Sequence, residues 1–519
     1  MDNNIDVSIG KDVLESLTTS MYEDSRYVYR EYVQNAADQI DKAKALGLLG
    51  EEDGEIHIHI LPDQALVEIE DNATGIPQNE FINVLRNVAK SNKIKGKDKG
   101  FRGIGRLGGL GYCDELRFES SFHGEATKSI LIWDAALLRR IIDDRSQKEE
   151  AAEVISRVTK FKKENEDVNM HYFKIIMKGV HDEVLLNIKE VRKYLSMVAP
   201  VAFPSHFVLG KKIYQAAREA SFELDEYNLF INSEQLFKAY STVIYDGEEG
   251  SMRRIDELFD VRCFEERDRN GKLIYWGWYG LNTTPNKQLS PANIARGIRL
   301  RKANIQVGNE STLVKLHRQE RTNFYFFGEV HAVSEGLIPN SRRDYFSVGS
   351  EVSNFESKLK EFFHNELYKL SYEISKVSTL IKKVGEVEKH RKEFEQKEKD
   401  GAFADKRERQ EYLERYEKKK KEAEAAKRKI ERLGEEVASN PTSAADKVIN
   451  KVLSTTEVRL DAKELDVAPI KAKNFRINKL RSLNKDQKAL LGHVFSIIRD
   501  VLDKYKSEEL ISRIEEELK

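Results

Sequence analysis

Three polar constellations follow one another between Glu31 and Gly111, and their order narrows the folds open to this chain more than any other feature. The first, Glu31-Tyr-Val-Gln-Asn35-Ala-Ala-Asp38, lies in a helical pattern over residues 26–46. Steps of four and three residues put a carboxylate, a carboxamide and a second carboxylate on one helix face. A carboxylate takes a proton from water, and an amide oxygen is a hard donor suited to magnesium. Taken alone, such a face is most often merely solvated. The second constellation, Asp71-Asn72-Ala73-Thr74-Gly75-Ile76-Pro77, follows a strand pattern at 66–70. A strand-end Asp accepts hydrogen bonds, and a nearby glycine lets a flat ring approach the backbone. As an isolated motif it reads as a turn.

The third constellation is Gly100-Phe101-Arg102-Gly103-Ile104-Gly105, continuing through Gly108, Gly109 and Gly111. Five lysines between Lys90 and Lys99 precede it. Glycines at this density free backbone N–H groups to face an anion. The strand–turn–helix setting of a dinucleotide fold is missing, and no GxxxxGK[ST] occurs, so a P-loop is excluded.

Around these motifs the periodicity predicts helices at 11–18 and 26–46 and strands at 55–60, 66–70, 115–120, 128–133 and 172–178. Aromatic and β-branched runs at 273–280, 297–307 and 324–333 mark a second α/β region. In that region Trp276 and Trp278 read as core or edge packing, and His57 and His59 earlier in the chain as the polar face of a strand. Between Lys389 and Glu436 the composition changes: 31 of 48 residues are charged, 17 basic and 14 acidic. Tyr416, Ala423, Ala426, Ile430, Leu433 and Val437 recur there at heptad spacing, so a charged coiled-coil helix is expected. A last helix is expected over 485–506, with Leu490, Leu491, Val494, Ile497, Ile498 and Val501 on one face.

In this order the three constellations resemble the nucleotide-binding boxes of the GHKL superfamily, which includes type II topoisomerases, heat-shock protein 90, histidine kinases and MutL-type repair proteins. The likeness is greatest to heat-shock protein 90. Glu31–Lys42 reads EYVQNAADQIDK, similar to that family's ELISNSSDALDK, and Phe81–Ser91 reads FINVLRNVAKS, similar to LINNLGTIAKS. Leu337-Ile-Pro-Asn-Ser-Arg-Arg343-Asp344 is similar to LPLNVSRE of its middle domain.

The resemblance implies an α/β (α+β) chain. A GHKL Bergerat-type ATPase sandwich would occupy 1–185, an S5-like transducer 186–350, a helical coiled-coil arm 351–440 and a C-terminal helical segment 441–519. It implies Glu31 as general base, Asn35 as magnesium ligand, and Asp71 on the adenine amine with Gly75 beside the ring. Asp38 would support the nucleotide, Lys90 would approach the phosphates, and Gly100 through Gly105 would wrap them. Arg343, with Arg342 as the alternative, would reach the γ-phosphate. Two departures stand out: Val84 replaces an Asn, and Met170-His171-Tyr172-Phe173 replaces a Gly-Thr that helps bind adenine.

The expected activity is therefore a magnesium-dependent ATPase clamp, a homodimer acting like a chaperone on protein clients. A DNA-associated clamp of MutL or microrchidia type, in genome maintenance or phage defence, and an ATP-stabilised scaffold are the alternatives. With 87 basic against 88 acidic residues and a net charge of -1, a chain-wide nucleic-acid coat is disfavoured. Two cysteines are too few for a disulfide framework, and no long apolar run exists, so a cytoplasmic protein without a membrane span is expected.

Overall fold

The computed structural model describes residues 10–18, 24–87, 105–146, 148–247, 251–399, 403, 406–439, 443–456, 477 and 480–518. The chain forms two compact units, Met1–Tyr368 and Lys369–Lys519.

In the first unit, strands β1 (Glu55–Leu61), β2 (Leu66–Asp71), β3 (Glu115–Ser121), β4 (Thr127–Asp134), β5 (Thr159–Asn165), β6 (Tyr172–Lys178), β7 (Asn228–Ile231) and β8 (Glu234–Gln235) make one sheet. Its order is β5-β4-β3-β6-β2-β1-β7-β8. Every pairing is antiparallel except β1 with β7. β1 and β2 bury alternate residues, the pattern of a sheet with one face covered. Helices α1 (Asp12–Thr18), α2 (Tyr27–Ala45), α3 (Gln78–Arg86), α4 (Ala135–Asp143), α5 (Ala151–Val158), α6 (Glu183–Leu186) and α7 (Ile188–Val198) accompany it. Val28, Tyr29, Val33, Ala37 and Ile40 of α2 share a core with Ile58, Val67, Ile69, Leu116 and Phe118 of the strands.

Strand β5, with sequence TKFKKEN, was not among the expected strands; its side chains are exposed, so no alternation betrays it. It is the sheet edge, where lysines oppose pairing with another chain. β7 and β8 carry the sheet past residue 185 into the following segment.

Helix α8 (Gly210–Glu219) leads to a two-stranded sheet of β9 (Val243–Asp246) and β10 (Arg253–Glu257). A five-stranded sheet follows: β11 (Asp260–Arg267), β12 (Leu273–Leu281), β13 (Gly297–Lys302), β14 (Ile305–Gln306) and β15 (Phe327–Ala332), in the order β11-β12-β15-β13-β14. Trp276 and Trp278 are core residues here, packed with Phe203, Phe207 and Tyr240. The run 297–307 is a hairpin rather than one strand, because Ala303 and Asn304 take positive φ at its turn.

Beneath this sheet lies a buried charge cluster. The Glu329 carboxylate pairs with Lys238 at 2.9 Å and Arg301 at 2.5 Å, and all three side chains have no exposed surface. Tyr240 and Trp278 donate to the same carboxylate at 3.1 and 3.3 Å. Burial works against ionisation of Glu329, but Arg301 and Lys238 together hold its carboxyl well below the usual range. Burial lowers Lys238 to about 8. Arg301 also donates to the Met197 carbonyl at the end of α7, fastening the joint between the two sheets. Helix α9 (Ser350–Phe362) closes the unit, stacking Phe362 on Phe264 of β11.

The second unit is helical: α10 (Lys369–Lys399), α11 (Lys406–Ser439), α12 (Ala444–Thr455), α13 (Lys485–Val501) and α14 (Lys504–Glu517). The expected heptad seam finds its partner within the chain. Tyr416 and Ala423 pack on Val387, and Ala426 and Ile430 on Val384. Pairs Arg409–Glu398, Lys397–Glu408, Lys419–Glu386 and Lys383–Glu422 run in opposite chain directions, making an antiparallel hairpin. The expected last helix breaks at Leu502, because Asp503 caps a new helix through the Tyr505 and Lys506 N–H groups. Its apolar residues also divide. Leu491 and Ile498 pack with Phe495 and Ile511, whereas Leu490, Val494, Ile497 and Val501 are exposed. No described helix is long and apolar enough to cross a membrane.

Candidate functional site

Helix α2 is nearly enclosed, and that enclosure gives its polar residues their significance. Glu31 and Asp38 are buried and Asn35 is half-buried on the same face. Polar groups are seldom sequestered in this way without partners. The helix is pinned by its other faces. Tyr29 donates to the Leu185 carbonyl at 2.6 Å, and Tyr227, just before β7, donates to Asp41 at 2.6 Å.

Asp71 ends β2 and is buried, with the Ala73 N–H donating to its Oδ1 at 3.1 Å. Burial pushes its carboxyl up to about 8, partly offset by that hydrogen bond and reinforced by Glu70. Among the described residues no cation pairs with this carboxyl, and a ligand N–H donor is well suited to complete it. The neighbouring Asn72 serves structure instead, accepting from the Glu55 N–H and donating to the Asp53 carbonyl, both at 2.8 Å.

Gly75 has φ +65°, and a Cβ there would lie 1.9 Å from the Ser121 carbonyl oxygen. Close passage of two backbones, at the end of β3, is thus one physical reason for glycine at this position. His171, within the segment that departs from the heat-shock pattern, places Nδ1 2.8 Å from the Ala73 carbonyl oxygen. The ring therefore braces the loop that follows Asp71.

Of the glycine-rich stretch, Gly105, Gly108, Gly109 and Gly111 are described; Lys90, Gly100, Phe101, Arg102, Gly103 and Ile104 lie outside the described residues. Gly105 abuts Glu31 so closely that a Cβ would meet Oε2 at 2.3 Å. Tyr32, beside Glu31 on α2, fixes the next turn. Its hydroxyl accepts from the Gly109 N–H at 3.0 Å and donates to the Arg106 carbonyl at 3.2 Å. Its place next to the helix's carboxylate is the sequence signal for this role. Gln34 is buried as well, and its carboxamide has no hydrogen-bond partner among the described residues.

Arg343 approaches from the loop after β15. Its Nε lies 2.5 Å from Glu31 Oε1, with the two side chains 15% and 9% exposed. Among the described residues no hydrogen bond reaches that oxygen, and the contact with Arg343 is one of charge. Arg343 has φ 55°, a left-handed conformation costing a non-glycine residue about 1–3 kcal/mol. The turn holds it there: the Gly308 N–H donates to the Arg343 carbonyl at 2.8 Å, and the Arg343 N–H to the Asn340 carbonyl at 3.2 Å. Arg342 is exposed, with its carbonyl accepting from Arg30 of α2 at 3.3 Å. The loop therefore turns Arg343, rather than Arg342, toward Glu31.

These groups fit a magnesium nucleotide. Magnesium is commonly held by one or two protein oxygens together with substrate phosphates, and α2 offers the Asn35 amide. Residues 25–165 match the family model for histidine kinase-, DNA gyrase B-, and HSP90-like ATPases. The chaperone protein HtpG of Shewanella pealeana is 28% identical over 144 residues, covering 24% of this chain and 23% of that protein. HtpG of Shewanella sp. strain ANA-3 is 38% identical over 87 residues, 16% of this chain and 14% of the relative. The chain thus spans less than a quarter of the length of these relatives. Over residues 25–165 the chain carries a GHKL-type ATPase domain related to that of heat-shock protein 90.

Proposed function

We propose that the protein binds and hydrolyses ATP at α2 and uses the cycle to drive a conformational clamp. The observation that carries this reading is the approach of Arg343, in the loop after β15, to Glu31 of α2 within the same unit. Asp71 receives the adenine amine, and Asn35 and Asp38 face the phosphates. The family resemblance assigns Lys90 and Gly100–Gly105 to phosphate binding. Bound through Asn35, magnesium supplies positive charge that offsets the phosphate oxygens.

Glu31 takes a proton from the attacking water, and the water oxygen displaces ADP from the γ-phosphorus. Arg343 exchanges its contact with Glu31 for the γ-phosphate, where a fixed cation stabilises charge that grows in the transition state. That exchange frees the carboxylate and draws the second sheet toward the nucleotide. Binding free energy becomes a shift between open and closed populations.

The relatives' description as chaperone proteins supports protein clients as the load; the working form in this reading is a homodimer in the cytoplasm. Steady-state phosphate release tests the reading. Glu31→Ala should bind ATP yet turn over at background rate, and turnover equal to wild type would remove Glu31 as the base.

A further inference from the structure

The second unit carries a charged surface that the nucleotide chemistry does not use. On α11, Tyr416, Ala423, Ala426, Ile430 and Val437 are buried. Positions 418, 421, 425, 428 and 432 follow one another at three- and four-residue steps on the opposite side of the helix. They are Lys418, Lys421, Ala425, Arg428 and Arg432, flanked by Arg415 and Lys429, and all are exposed. At 1.5 Å per residue the cations extend over roughly 25 Å. Within that span nine cations face four carboxylates, Glu417, Glu422, Glu424 and Glu431, and Glu422 is paired with Lys383 of α10 at 3.5 Å.

Several other cations of the hairpin are paired. Lys382, Lys389, Arg391, Lys392, Arg407 and Lys427 each meet a glutamate one turn away on their own helix. None of the six cations of the row has an ion pair among the described residues. Glu417 and Glu424 stand one turn before Lys421 and Arg428, yet over residues 415–432 positive charges exceed negative ones by five.

We propose that the outer face of α11 binds the phosphate backbone of double-stranded DNA. A duplex offers one charge per strand about every 3.4 Å along its axis, in rigid rows that suit a straight row of fixed cations. A protein partner is a poorer match, since Ala425 is the row's one apolar side chain and protein interfaces rely on buried apolar or aromatic anchors. A membrane surface is also a poorer match, because the helix's apolar side is already packed on α10. The near-zero net charge of the chain conceals the row, since binding of this kind depends on local field. The inference does not depend on ATP binding.

Fluorescence anisotropy of the full chain with a labelled DNA duplex of about 30 base pairs, without nucleotide, tests it across a potassium chloride series. Wild type should bind with a log–log salt slope of about −4 or steeper, at about 0.9 per neutralised phosphate. Lys418→Glu/Lys421→Glu/Arg428→Glu should lose at least about tenfold in affinity with unchanged helicity and melting temperature. Reversing three exposed lysines of β5 (Lys160, Lys162 and Lys163) should leave affinity within about twofold. If the reversed α11 variant misfolds, the glutamine triple at the same positions replaces it, with a loss of at least about threefold expected. Absence of salt-dependent binding, equal losses in both triple variants, or a preference for phosphatidylserine vesicles over the duplex would each overturn the proposal.

Discussion

The Arg343 guanidinium sits 2.5 Å from the Glu31 carboxylate, although 312 positions separate them in the chain. Removing the arginine should therefore do two things in opposite directions. It should free the carboxylate in the nucleotide-free protein, and it should remove the cation from the transition state. The second effect dominates during turnover. Arg343→Ala should lower kcat by about 10²–10³-fold, the scale for losing one transition-state donor, with a smaller change in KM. Arg343→Lys should recover part of the loss, and Arg342→Ala should change kcat by less than about threefold. Stopped-time phosphate assays at saturating ATP separate these outcomes.

Glu31→Gln should keep the helix packed and slow hydrolysis by about 10²–10⁴-fold, the usual contribution of a positioned base. Calorimetry should show ATP affinity retained, so that binding and chemistry part company. Loss of both together would make Glu31 a binding residue instead.

Asp71 makes nucleotide affinity depend on pH in a definite sense. Its folded carboxyl is raised to about 8, so below that pH the nucleotide-free protein holds a proton there. Stability associated with the raised value is complete below the usual carboxyl range and is lost as pH rises through about 8. If the adenine amine favours the ionised carboxylate, binding expels that proton and affinity rises as pH climbs toward 8. Titration with Mg·ADP near neutral pH, in buffers of different ionisation enthalpy, should show release of a fraction of a proton. Asp71→Asn should abolish the release and reduce binding below detection.

Gly75→Ala should destabilise the first unit by about 1–3 kcal/mol or more, since positive φ and a 1.9 Å approach to the Ser121 carbonyl both oppose a Cβ. Thermal unfolding of nucleotide-free protein measures this without invoking the ligand.

Glu329→Gln should cost about 3–5 kcal/mol, because Lys238 and Arg301 would remain buried without their counter-charge. Denaturant unfolding should show the loss, and a double variant that also replaces Lys238 by Met should restore part of it.

By itself, the sequence determined the local elements and the order of the chemistry. Spacing alone puts Glu31, Asn35 and Asp38 on one helix face, and alternation defines β1 and β2 and puts Asp71 at a strand end. Both depend on periods of a few residues, which are set by backbone geometry. Heptad spacing likewise marked the seam of α11, but it said nothing about the seam's partner, which proved to be α10. The sequence also gave no sign of β5, whose exposed lysines carry no burial pattern, or of the break at Asp503 that splits the last helix.

The tertiary structure decided the relationships between distant segments. It brings Arg343 to Glu31 by way of a strained turn, gathers Lys238, Arg301 and Glu329 in a dry core, and uses Tyr32 to hold Gly109. Each depends on closing a long loop and desolvating polar groups. Those free energies are summed over the whole fold, so no short window of residues contains them.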